Sequence, residues 1–215
     1  MKQINDFNEL DLNRIYTYAD YLTWNFMERV ELLWGKVFKL TPAPGTLHQK
    51  ILSTLNSYLF QFLKGKPCQV FPAPFDVRFP DESGNPDDHI RNVVQPDVSV
   101  ICDLNKLDGR GCKGAPDFII EIISKSTAQK DLHEKYALYE KYGVREYWVI
   151  YPVEKNLTVF LLDQNGKYQT QKPLTRGDIA RSAVLEGFEI NLDEVFEDIF
   201  MEPEEDYVEK ERRIQ

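Results

Sequence analysis

"GAPDFIIEIISKSTAQKDLHEKYALYEKYGVREYW", residues 114–148, decides the fold. It opens on an apolar run, "PDFIIEIIS" at 116–124, that reads as a buried strand. A helix over roughly 127–142 follows and stops at Gly143. A second strand, "VREYWVIYP", comes next. The anomaly is Glu121, alone in the middle of "FIIEII". An ionised carboxylate taken out of water costs roughly several kcal/mol unless another group compensates it.

The helix supplies a candidate. Setting Asp131 at about 0° and advancing about 100° per residue, Leu138, Tyr142, Tyr139, Leu132 and Tyr136 cover an arc from roughly −20° to 140°. Lys135 falls near 40°, inside that arc, while Lys130, Glu134 and Lys141 fall toward solvent. A lysine so placed can snorkel outward. Here an inward ammonium and an inward carboxylate occupy consecutive elements, and each compensates the other.

Upstream, "NVVQPDVSVIC" (92–102) reads as a strand with Gln95, Asp97 and Ser99 on one face. Pro96 predicts an irregularity in its pairing where Asp97 stands. Two acids converging on one lysine are better explained by a divalent cation, because hard oxygen ligands collect Mg²⁺ or Mn²⁺. Before it come a strand over 68–79 and an amphipathic helix over 46–64, with Ile51, Leu52, Leu55, Tyr58, Leu59 and Phe62 on one face. "RVELLWGKVFKL" (29–40) reads as a hairpin turning at Trp34-Gly35. "TYADYLTWNFME" (17–28) reads as a short helix capped by Thr17 and Asp20. After residue 152 further β structure is expected, with a turn at Asn165-Gly166, and then a charged tail. The order helix, three strands, helix, strand predicts an α/β domain with a mixed sheet. One domain is expected over 1–200: hairpin region 15–40, core 46–151 and C-terminal β extension 152–200, followed by the tail 201–215.

A net charge of −9 weighs against a protein that coats nucleic acid through a basic stripe. Contact with DNA then has to come from a local rim, for which Arg29, Lys125, Lys130 and Arg145 are the candidates. Three cysteines, Cys68, Cys102 and Cys112, lack metal-ligand spacing and read as reduced thiols. With no transmembrane-length stretch and no signal-peptide core at the start, the expected location is cytoplasmic.

"QPD" at 95–97, "IIEII" at 119–123, "D-x-x-x-K-x-x-x-Y" at 131–139 and "GVREYWVI" at 143–150 together resemble the PD-(D/E)xK nuclease superfamily. More narrowly they resemble its "putative restriction endonuclease" family, long carried as a domain of unknown function. "RVELLWGKV", "P-x-P-x-x-x-H" at 42–48 and "PFDV" at 74–77 fit that family too. The resemblance implies a restriction-endonuclease-like core and Mg²⁺-assisted hydrolysis of DNA phosphodiesters, with Mn²⁺ as a substitute. It makes Asp97 the PD acid and Glu121 the second acid, both metal ligands together with the carbonyl of Ile122. The lysine expected two positions after Glu121 is Ile123 here, and its role passes to Lys135, with Lys125 as rival. Glu31 matches the family's first acid, and His48, on the inward face of its helix, is a further catalytic candidate. A homodimer would extend the surface that one acidic domain offers a duplex. Two other readings fit the same residues: an inactive nuclease-fold binding module, and a metal-dependent hydrolase of a small phosphorylated substrate.

Overall fold

The structure, a computed structural model, describes residues 3–40, 45–81, 86–123 and 130–197, with the side chains of residues 130–132 outside that description. Lys125, Lys130 as a side chain, the first turn of the expected second helix and the charged tail therefore lie outside the described residues.

Helix α1 (Tyr18–Tyr21) is followed by strands β1 (Val30–Leu33) and β2 (Lys36–Lys39), helix α2 (Thr46–Leu63), β3 (Gln69–Pro72) and β4 (Val77–Arg78). Strands β5 (Val93–Val94), β6 (Val98–Ile101), β7 (Leu107–Asp108), β8 (Gly111–Lys113) and β9 (Phe118–Ile122) come next. A π-helical turn, Lys130–Lys135, runs into α3 (Tyr136–Tyr142), which leads to β10 (Glu146–Tyr151) and β11 (Asn156–Leu162). The chain continues through β12 (Tyr168–Thr170), β13 (Leu174–Thr175), β14 (Ile179–Arg181), β15 (Glu189–Asn191) and α4 (Leu192–Val195).

Two mixed sheets result. One runs β2-β1-β5-β4-β8-β7, the other β12-β11-β10-β9-β6-β3 with β13 on β11. Strands β9 and β10 are parallel, joined over α3, and β6 lies antiparallel on the other side of β9. Every residue of β9 is buried, as a central strand covered on both faces requires. Phe118, Ile120 and Ile122 face a core closed by Ile51, Leu55 and Leu59 of α2. Ile119 and Ile123 face a second core, between the two sheets, that contains Leu138 and Tyr139 of α3 and Leu33, Val77 and Val94 of the other sheet. Glu121 belongs to that second row by alternation.

Several expectations change in the structure. The strands read over 68–79 and 92–102 are each divided between the sheets, β3/β4 and β5/β6. They form one two-stranded ribbon, since β3 pairs with β6 and β4 with β5. The ribbon bends at 73–76 and 95–97, and its corner is held by Ala73 N–H donating to Asp97 O at 3.0 Å. Strands that pass from one sheet to another make such corners, and Pro96, without an N–H, suits one. The expected helix over 17–28 is only α1, with the Thr17–Asp20 capping box intact. Beyond it Trp24 packs on Tyr16, Tyr21 and Phe26 instead of continuing the turns. Tyr58 of α2 is exposed, because the buried row is Ile51, Leu55, Leu59 and Leu63. Cys68 and Cys102 are joined in a disulfide: β3 and β6 pair Gln69 with Ile101, so the next residues out face each other. Cys112 is the buried free thiol, which burial pushes up to about 12.

The hairpin turns at Trp34 and Gly35, both at positive φ (56° and 77°). Gly35 is required twice, since a Cβ there would also meet Ile15 Cγ2 at 2.5 Å.

Candidate active site at the bend between the sheets

Glu31 is the polar residue of a fully buried strand, β1, and shares a row with Leu33 of the inter-sheet core. The π-helical turn brings Lys135 to it from the opposite side. Lys135 Nζ lies 3.0 Å from Glu31 Oε1 and donates to Glu121 Oε1 at 2.8 Å, with all three side chains buried. One ammonium therefore joins a carboxylate of each sheet. Tyr139, one turn on from Lys135, donates its hydroxyl to Glu121 Oε1 at 2.7 Å. Burial first, and then the Glu121 charge, hold that phenol well above its ordinary value, so it acts as a donor. Two donors on one oxygen fix Glu121 in orientation as well as in charge.

Asp97 leaves the ladder at the corner. The β6–β9 register pairs Val98 with Ile120, so its next step sets Asp97 across from Glu121. Asp97 Oδ2 accepts the backbone N–H of Ile122 at 2.7 Å. Its Oδ1 lies 3.2 Å from His48 Nε2, near the start of α2. His48 Nδ1 is buried with no hydrogen-bond partner among the described residues. The structure thus gathers Glu31, Asp97, Glu121, Lys135 and His48, with the Ile122 backbone, around one corner. Arg145, expected on a basic rim, lies elsewhere. It pairs with Asp117 at 2.6 Å just before the start of β9, roughly 13 Å along the chain from Glu121. Glu134, expected toward solvent, is half-buried and accepts from Trp34 Nε1 at 2.9 Å.

Gln95 was not among the expected site residues. Its backbone N–H donates to Glu31 Oε1 at 2.8 Å, its Nε2 donates to Asp76 Oδ1 at 2.8 Å, and its Oε1 accepts from Arg29. Burial raises the pKa of Asp76, and the Gln95 bond opposes that shift. The available signal was the alternation that put Gln95 on the same face as Asp97.

Whether these residues suit Mg²⁺ depends on their donors. Among the described residues no group of three His, Cys, Asp or Glu could hold a metal. Mg²⁺ does not need three, since it keeps several waters and uses one or two carboxylates. Asp97 and Glu121, facing each other at a corner, are hard oxygen donors of that kind.

A mixed sheet with a parallel pair joined over a helix, carrying Glu121 in its central strand and met by Lys135 from the turn before that helix, is a nuclease-like α/β arrangement. A family profile described as "Uma2: Putative restriction endonuclease" matches residues 18–193, and the chain belongs to that family. Its fold is similar to the crystal structure of a "putative nuclease belonging to DUF820" from Anabaena variabilis. The TM-score is 0.64 at 19% identity, over 84% of this chain and 97% of that one. No curated protein matches. No helix among the described residues is long and apolar enough to cross a membrane.

Proposed function

We propose that this protein is a Mg²⁺-dependent endonuclease hydrolysing phosphodiester bonds of DNA. The observation that carries the reading is the junction of Glu31, Lys135 and Glu121 between two sheets, with Asp97 at the adjoining corner. Two buried carboxylates on one ammonium are weak evidence of a stability role, because apolar residues of similar volume often serve stability as well or better.

Asp97, Glu121 and the Ile122 carbonyl would hold the cation. When bound, it supplies Lewis acidity toward a phosphate oxygen and lowers the pKa of a water. Lys135 places a positive charge beside the substrate phosphate and offsets the charge that develops during displacement. Tyr139 keeps Glu121 oriented, and the Ile122 N–H and His48 do the same for Asp97. Glu31 sets the position of Lys135. A homodimer would widen the surface that meets a duplex.

The competing reading is a binding module in which these groups form a salt-bridge cluster, and Lys135 lying between Glu31 and Glu121 favours it. Calorimetric titration with Mn²⁺ separates the two. The nuclease reading expects metal binding and metal-dependent nicking of plasmid DNA, with Asp97→Asn losing both while its circular dichroism is unchanged. A wild-type protein that binds no divalent ion overturns the nuclease reading.

A further inference from the structure

Gln95 fixes one more group. Arg29 donates to Gln95 Oε1 through Nε at 3.1 Å and Nη2 at 2.6 Å. The other end of the same amide is held by Asp76, and the Gln95 backbone N–H by Glu31. Arg29 stands two residues before Glu31, so strand alternation sets it in the same row, about 6.6 Å farther along. There it is exposed, at the outer end of the row that contains Glu31.

The acceptor is unusual for this chain. Six of the eight arginines among the described residues pair with carboxylates, as Arg145 does with Asp117 and Arg110 with Asp87. Among the described residues Arg29 has a neutral amide oxygen as its hydrogen-bond acceptor and no carboxylate at ion-pair distance. A neutral acceptor aims a guanidinium without cancelling its charge. Among the described residues two of its five N–H donors are used, and three remain for another acceptor. Glutamate at position 95 would neutralise Arg29 and would also face Asp76, a like charge. Glutamine does neither. A planar, oriented cation on a protein of net charge −9 suits an anion with several oxygens.

We infer that Arg29 binds a backbone phosphate of the nucleic acid beside the scissile linkage, and that Gln95 is the positioning residue that aims it and ties it to Glu31. This rests on the nuclease reading. The test is fluorescence anisotropy of a labelled DNA duplex against the full chain with Ca²⁺ present, repeated from low to physiological salt. Arg29→Gln is expected to weaken binding about tenfold, the scale of one charge-assisted hydrogen bond. It should also reduce the slope of log K against log salt by about 0.9, one phosphate contact. Gln95→Glu should reduce the slope similarly although Arg29 is still present, an effect that a purely structural glutamine would not have. Arg29→Lys should restore the slope. Arg181→Gln, which removes an arginine paired with Glu189, should leave it unchanged. Equal slopes for wild type and Arg29→Gln overturn the inference and leave the nuclease reading standing. A wild type that neither binds nor cuts the duplex overturns both.

Discussion

Lys135 pairs two buried acids, and one substitution separates that structural task from the chemical one proposed for it. Its ammonium lies within 3.0 Å of both Glu31 and Glu121, and all three side chains are buried. Lys135→Met keeps most of the apolar stem and removes the charge, leaving two buried acids without that partner. Stability should fall by about 3–5 kcal/mol, the usual cost of breaking a buried pair from one side. Urea unfolding measures this, and added Mg²⁺ should return much of the loss, since an ion bound only by the folded site stabilises by mass action. If Lys135 also acts on the phosphate, the metal-loaded variant should bind DNA but cut it about 100-fold more slowly, the scale of losing one preorganised donor. Cutting at the wild-type rate would move that role to Lys125. The inward position of Lys135 was legible in the sequence, because a helical wheel needs only local periodicity. The pairing of Lys135 with Glu31 was not, because nothing in the 103 intervening residues states which sheets will face each other.

At the scale of elements, the strands were legible and their allegiance was not. Alternation marks "CQVFPAPFDVRF" and "NVVQPDVSVIC" as extended, but period two is the same whether a strand stays in one sheet or bends into another. Helix α2 was legible from its apolar stripe, whereas 17–28 misled because a true capping box precedes a sequence whose aromatic residues pack better off the helix. One buried acid escaped notice altogether. Glu146, in β10, accepts from Trp148 Nε1 and Ser182 Oγ at 2.6 Å each and from Val184 N–H at 3.0 Å, fastening the C-terminal extension to the core sheet. Burial raises its pKa despite those donors. Between the ordinary glutamate value of 4.5 and that raised value, the folded state binds a proton that the unfolded chain has released. The stability from this group is therefore full below 4.5 and is lost as pH rises through the folded value. Urea midpoints across that window should fall with pH more steeply in wild type than in Glu146→Gln, which cannot titrate. Parallel profiles would show that Glu146 titrates alike in both states.

On the scale of the whole molecule, the candidate site is also the hinge between the two sheets. Glu31 belongs to the sheet of β1, Glu121 to that of β9, and Asp97 and Gln95 to the corner of the ribbon that runs through both. Two backbone amides at this corner are satisfied by acids of the site rather than by a ladder partner: Gln95 N–H by Glu31 and Ile122 N–H by Asp97. The groups proposed for chemistry thus also satisfy part-buried donors that would otherwise cost stability. Glu31→Ala should loosen the corner before it loosens either sheet. Amide exchange followed by NMR should quicken at Gln95 by roughly 10- to 100-fold, matching the loss of a bond to a charged acceptor. Ile122 should quicken less, because its acceptor remains and only the Lys135 link between the sheets is weakened. Trp148 and Val149 lie inside β10, paired on both edges. They should quicken only by the amount that global unfolding allows, which gives the baseline for the others. If Gln95 exchanges no faster than that baseline, Glu31 does not hold the corner and its burial serves Lys135 alone.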